Sequence, residues 1–329
     1  METTNEVNWP DAIWQQINDG VVKEVAKVRV AQKVFPTTAL DGHPTQIVNE
    51  VIDFTNLNIR EGETKPLVEL HSQFSLTSTQ VNQEADQKTC ATLAKMAAKT
   101  LALFEDAYWF QVSDRSPAVR DPDDRPNLKV RFPGGVTIEN FRRELDFGLL
   151  AEANPPDADN VDSNKVTKPI TVGRLTAPGS LATWGENTFA KVTEGITDLV
   201  AKGQAPNYAL FLPTEVYADT FVPPSAASLV TTADRIKPLV EGGYYSSGVL
   251  PPDEGLLVAL GGEPVKLYVG WEAHTEFIKK EGAKYFFRVM ERVQYVVRDP
   301  RSLVLLKFAG PASVGGPPPT GGPAPKGKP

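Results

Sequence analysis

Residues 65–110 read KPLVELHSQFSLTSTQVNQEADQKTCATLAKMAAKTLALFEDAYWF. Their two successive periods decide the fold. From Val68 to Thr77 apolar Val68, Leu70, Phe74 and Leu76 alternate with Glu69, His71, Gln73, Ser75 and Thr77, the period of a half-buried strand. Beyond it Cys90, Ala97 and Phe104 recur every seven residues. Leu101 and Tyr108 follow at an offset of four, and Leu93 and Met96 widen the stripe, which is one apolar helix face. No Gly or Pro falls between Leu67 and Ser116, although the chain holds 25 Gly and 28 Pro. With Asn82 as N-cap and Glu84 and Asp86 in the first turn, the pattern predicts a spine helix of about 28 residues, or about 42 Å.

Working outward, Trp9 to Val34 reads as an amphipathic helix. Pro10 suits its first turn, and Trp14, Ile17, Val21, Val25 and Val28 form its stripe. Two strand-like runs, Ile47 to Ile59 and Leu67 to Thr77, flank Arg60-Glu61-Gly62-Glu63-Thr64. This predicts a hairpin turning at Gly62 with arms on the order of 30 Å. So little chain surrounds that hairpin that its cover is expected from another subunit. Arg115 to Lys168 is rich in Asp, Pro and Asn and reads as a surface insertion with one short helix from Ile138 to Leu150. A helix over Leu181 to Lys202 is closed by Gly203, and Tyr208 to Leu212 is a buried strand. A brief helix opens at Pro213, Val222 to Thr232 is loop, and Ala233 to Val240 is helical. Strands follow over Leu256 to Leu260, Val265 to Val269, Phe286 to Val297 and Leu303 to Phe308. In the third of these, Phe287, Val289, Val293, Tyr295 and Val297 share a face. After Ala309 the chain is Gly, Pro and small residues, a flexible tail.

Composition excludes several classes. A net charge of −7, from 34 basic and 41 acidic residues, with no Lys or Arg run, argues against nucleic-acid and anionic-membrane binding. The polar start Met1 to Asn8 and the short apolar runs predict a cytoplasmic chain without a signal peptide or membrane span. Three His (His43, His71, His274) without ligand spacing and one Cys, Cys90, give neither a metal site nor a disulfide. The acidic clusters at Asp121 and Asp157 lack the Gly and Glu of a calcium loop. Gly242-Gly243 and Gly261-Gly262 lack the residues that cradle phosphate. Ser246 has no nucleophile elbow. No catalytic constellation, cofactor or metal is expected.

The order of elements resembles the encapsulin shell proteins, which share the HK97-type capsid fold. The likeness is carried by Lys65-Pro66-Leu67-Val68-Glu69-Leu70, Phe74-Ser75-Leu76, Phe104-Glu105-Asp106, Tyr208-Ala209-Leu210, Val240-Glu241-Gly242-Gly243 and Arg301-Ser302-Leu303-Val304-Leu305-Leu306-Lys307-Phe308. It implies an α+β HK97 capsid-like fold divided into an N-terminal helix and arm (1–45), an extended loop (46–80), and a peripheral domain with the spine helix (81–114 and 272–308). An insertion (115–174), an axial domain (175–271) and the Gly/Pro tail (309–329) complete the division. The implied function is a structural, non-enzymatic shell that self-assembles into a closed icosahedral compartment. Its cargo protein would dock through a short terminal peptide. A phage or prophage major capsid protein packaging DNA is the alternative.

The resemblance also implies sites. Asn56, Leu57, Ile59, Val68, Leu70 and Phe74 would lie on the inter-subunit hairpin. Ile13, Ile17, Phe286 and Met290 would form the cargo-docking inner wall. Val222, Pro223, Pro224, Ser225, Ala226, Ala227 and Ser228 would line the axial pore. That loop carries no charge, and a neutral ring of small residues selects mainly by size.

Overall fold

The computed structural model describes residues 7–42, 44–53, 56–111, 136–139, 147–154, 166, 168–175, 182–204, 206–223 and 230–309. The chain forms α1 (Asp11–Val28), β1 (Thr37–Ala39), β2 (Gln46–Asp53), β3 (Asn58–Pro66) and β4 (Val68–Thr77). Next come α2 (Ser78–Asn82), α3 (Glu84–Gln87), α4 (Thr89–Phe110), β5 (Thr137–Glu139), α5 (Leu149–Glu152) and β6 (Ile170–Val172). The rest comprises α6 (Gly185–Ala201), β7 (Tyr208–Pro213), α7 (Thr214–Asp219), α8 (Thr232–Ile236), β8 (Gly243–Ser247), β9 (Glu254–Ala259), β10 (Val265–Glu281), β11 (Lys284–Val297) and β12 (Leu303–Phe308).

Two five-stranded sheets carry the fold. The first has the order β1-β10-β11-β4-β5 and the second β6-β12-β9-β7-β8, while β2 and β3 pair only with each other. Alternation along β11 directs Phe287, Val289, Val293 and Tyr295 into a core under α1 and α4, as the sequence pattern requires. In the second sheet Leu256 and Val258 face that same core. Leu257 and Ala259 face the opposite way, toward the core that also holds Val192 and Leu199 of α6. Gly195 lets α6 approach the sheet, since a Cβ there would lie 2.9 Å from Leu257 Cδ2.

The spine helix is shorter than predicted, 22 residues. Lys88 adopts left-handed φ 51 and breaks the helical run after α3. The buried Glu84 carboxylate then accepts from the amides of Cys90 (2.6 Å) and Ala91 (3.0 Å). Asn82 is therefore not the N-cap. Thr77 caps α2 through a reciprocal box with Gln80, and Glu84 serves α4. Likewise α1 stops at Val28, because Arg29 turns extended (φ −53, ψ 134).

The predicted hairpin is corrected. Its arms are β2 and β3, paired from Gln46↔Pro66 to Asp53↔Asn58, so 60–64 lies within a strand rather than a turn. Gly62 is needed for a different reason. The ladder is irregular between Val48 and Glu50, and a Cβ at Gly62 would come within 3.0 Å of the Asn49 carbonyl. Val68, Leu70 and Phe74 belong to β4, which pairs with β11 over its whole length, and Val68 and Leu70 are fully buried.

The expected insertion also holds core elements. Ile138 lies in strand β5, which pairs with β4, rather than in a helix. Leu149, Leu150 and Ala153 are fully buried, and β6 runs parallel to β12 in the second sheet. That pairing moves β12 out of the predicted peripheral segment, while Val265–Trp271, assigned to the axial segment, is the start of β10 in the first sheet. Strands β1 and β8 were not foreseen. The buried position of Cys90 agrees with its place on the helix stripe.

Removing the α4 cap tests this account. Glu84→Ala leaves two buried amides without an acceptor and is expected to lower stability by about 1–3 kcal/mol, read as a shift of the urea midpoint at unchanged m-value.

Candidate functional site

The hairpin is the first candidate. Its arm β3 is exposed at every residue from Asn58 to Thr64. Leu57 is 86% exposed, Ile59 53% and Val48 39%, so apolar side chains stand in solvent on an arm with no layer over it. Asn56 closes the turn, its amide (3.4 Å) and Nδ2 (3.1 Å) donating to Asp53. Strand β2 is tied to the body of the subunit along its length: Leu67 N donates to Thr45 O at 2.9 Å at the base, Arg298 pairs with Glu50, and Ile52 N donates to Arg298 O at 3.0 Å near the turn end. Of the six predicted hairpin residues, Asn56, Leu57 and Ile59 are on it. Phe74 instead stacks on Phe287 at 5.6 Å.

A groove at the start of α1 is the second. Trp9 donates its indole N–H to Val81 O at 2.9 Å and stacks on Phe287 at 5.6 Å, with Trp14 tilted against both. Beside them opens a pocket of about 440 Å³ lined by Val7, Trp9, Pro10, Ile13, Val81 and Tyr285, among others. The predicted docking residues separate here. Ile13 is half-buried on the groove wall. Ile17 and Met290 are buried and present no surface, which corrects their assignment to an exposed wall. Phe286 precedes Phe287 in the strand and so points to the other face of the sheet, where Lys279 lies 5.7 Å from its ring. Tyr285 was missed, although its place two residues before Phe287 puts it on the α1 face by alternation.

The third candidate is the loop of residues 222–228. Val222 and Pro223 are described; Pro224, Ser225, Ala226, Ala227 and Ser228 lie outside the described residues. The base of the loop rests on an aromatic cluster. Tyr217 lies 5.0 Å from both Phe221 and Tyr244, the Tyr244 hydroxyl is 2.6 Å from Thr220 Oγ1, and burial pushes the Tyr244 pKa up. Asp219 fixes the strut behind it by accepting from the amides of Thr183, Trp184 and Gly185 at 2.5–2.9 Å, at the N-terminus of α6.

The sequence reading missed a buried charge cluster where α1 meets α4. Arg29 pairs with Glu105 and Glu291, which have no exposed surface. Glu105 also accepts from Gln32 Nε2 (2.6 Å) and Trp109 Nε1 (3.1 Å), and neighbouring Asp106 accepts from the amides of Val30 (2.8 Å) and Ala31 (3.0 Å). Burial raises all three carboxylates, Asp106 to about 7 and Glu291 to about 8. The available signal was Glu291 itself, an acid at an alternating position in an otherwise apolar strand face.

Elsewhere, His71 Nδ1 is 3.9 Å from Glu69 and His274 Nε2 is 3.2 Å from Glu276. Among the described residues no group of three or more His, Cys, Asp or Glu is placed to hold a metal. No helix among them is long and apolar enough to cross a membrane.

A family model described as an encapsulating protein for peroxidase matches residues 172–294, bearing out the resemblance to encapsulin shell proteins. The fold is similar to that of a virus-like particle from Pyrococcus furiosus, with 14% identity and a TM-score of 0.59 over 89% of this chain and 99% of that one. It is also similar to the capsid of Myoviridae Phage XM1 (11% identity, TM-score 0.51, 86% and 92%). A native GTA particle capsid gives 15% identity and a TM-score of 0.50 over 85% and 90%. The fold is the HK97-type capsid fold.

Arg29→Met strips the buried carboxylates of the cation they share. It is expected to cost about 3–5 kcal/mol, measured at neutral pH by denaturant unfolding.

Proposed function

We propose that this chain is the subunit of a closed icosahedral shell of the encapsulin type, built to enclose a cargo protein. The observation that carries the reading is the hairpin of β2 and β3. An isolated two-stranded hairpin is marginal in water, yet here it exposes Leu57, Ile59 and Val48 while β2 is tied to the body at Glu50 and Ile52. A neighbouring copy supplies the missing layer, and interfaces of standard size repeated over a shell sum to a durable particle. The likeness of nearly the whole chain to capsid subunits supports the same reading, and the matching family's description suggests an enzyme as the cargo. Assembly is tested by size-exclusion chromatography and electron microscopy, in which the wild-type chain forms uniform hollow particles. Ile59→Asp is expected to yield soluble subunits of unchanged circular dichroism that assemble poorly. Particles formed as readily as in the wild type would show that the hairpin is not the clasp.

The groove beside Trp9 is the cargo-docking wall in this proposal. It suits an extended terminal peptide with apolar side chains, bound weakly per site and strengthened by avidity across many copies. Ile13→Asp places a charge on the groove wall and should empty the shells of co-purifying protein without preventing assembly. Full cargo retention would place docking elsewhere.

A second reading, a major capsid protein packaging DNA, draws on the similarity to the Phage XM1 capsid. Purified particles separate the two. Strong absorbance near 260 nm with a portal vertex marks the capsid, and a stoichiometric second protein marks the compartment.

A further inference from the structure

Three carboxylates, Glu105, Asp106 and Glu291, are buried around one guanidinium, Arg29, where the end of α1 meets α4 and β11. A fourth, Glu272 of β10, stands at the surface 3.9 Å from Arg29. Ionised together, the buried groups would leave an excess of two negative charges out of water, which a protein avoids by keeping a proton. Hydrogen bonding identifies where that proton sits. Asp106 holds two backbone amides, and Glu105 holds Gln32, Trp109 and Arg29, all donors that favour an ionised acceptor. Glu291 has only Arg29, and its Oε1 has no hydrogen-bond partner. Solvent reaches the site through a pocket of about 300 Å³ whose lining includes Val22, Ala26, Arg29, Gln32, Glu272 and Ala273.

We propose that this cluster is a proton-dependent latch, in which a proton held on Glu291 clamps the end of α1 onto α4 and β11, and its loss at alkaline pH releases α1. The charged and titratable groups that face Glu291 are Arg29 from the end of α1, Glu105 from α4 and Glu272 from β10, with Asp106 beside Glu105 and Lys33 at the pocket wall. Lys33 donates to Lys27 O at 2.9 Å, and among the described residues Arg29 alone brings positive charge into the buried cluster. Deprotonated Glu291 sets its charge against Glu105 and Glu272, and release of α1 returns the carboxylates to water.

The direction follows from linkage. Burial raises Glu291 from 4.5 to about 8, so the closed state binds the proton more tightly than the open state. Closure is therefore favoured fully below about pH 4.5 and progressively lost as pH rises to about 8. Asp106, pushed up to about 7, acts in the same direction but is largely spent by pH 8.

The test is hydrogen exchange on the full wild-type chain, corrected for the intrinsic pH dependence of exchange, with peptides of α6 as internal reference. Between pH 7 and 9 the protection of α1 relative to α6 is expected to fall by at least about tenfold, and in Glu291→Gln by only about twofold. Gln keeps an acceptor for Arg29 but cannot ionise. Equal pH dependence of α1 and α6 in the wild type overturns the latch, and so does a slope that survives in Glu291→Gln. Should the variant not be recovered folded, the wild-type comparison alone decides.

Discussion

Residues 104–110 of the spine helix are buried on every side, and the rest of the subunit is arranged to make that possible. A helix with no solvent face needs packing partners all round, and this one draws them from both sheets. Trp109 meets Tyr295 of β11 edge-on at 5.5 Å, and Phe110 meets Phe211 of β7 at 5.0 Å. Two of the seven residues are acids, which imposes a second demand. Buried carboxylates require donors and a cation, and the chain supplies both from one place, the end of α1. Arg29 leaves the helical conformation to turn its guanidinium inward, and the amides of Val30 and Ala31 that this frees fall on Asp106. The end of one helix is thus set by the charges on another.

The sequence shows periods well and partners poorly. Alternation in β11 and in Val68 to Leu76, the stripe of α4 apart from exposed Met96, and the apolar runs of β7 and β12 were readable, because each depends only on local repeat. The misplaced hairpin shows the limit. A central strand and a hairpin arm share the same period, and what separates them is that β4 lies beside β11, far along the chain. Gly62 looked like a turn because a glycine required opposite an irregular ladder has the same sequence signature as one required for positive φ. The burial of Glu69 and His71 beside Val68 and Leu70 likewise reflects coverage on both faces of β4, which alternation cannot report.

The candidate sites divide along the same line. The surface placement of Leu57 and Ile59, and of Ile13 at the edge of the α1 stripe, was legible because an apolar residue at the edge of a pattern is visible as such. Ile17 and Met290 were placed on a surface although they are fully buried, since the sequence does not give the depth of a packed layer. The charge cluster was hidden because its members sit at 29, 105, 106, 272 and 291 and are joined only in space. Apart from Glu291, whose place in an apolar strand face marks it, each alone reads as a solvated charge.

The hairpin runs straight into the sheet that carries Glu291 of the cluster. Strand β3 ends at Pro66 and β4 begins at Val68, so a load on the hairpin passes to β4 almost directly. In the ladder, Leu70 of β4 lies opposite Glu291 of β11, and Val68 opposite Val293. The strand that continues the exposed arm, β4, and the strand that carries the carboxylate beneath α1, β11, are therefore neighbours in one sheet. Closely packed interiors transmit displacement rather than absorb it. The position of Glu291 relative to Arg29 thus depends on how β4 and β11 are held.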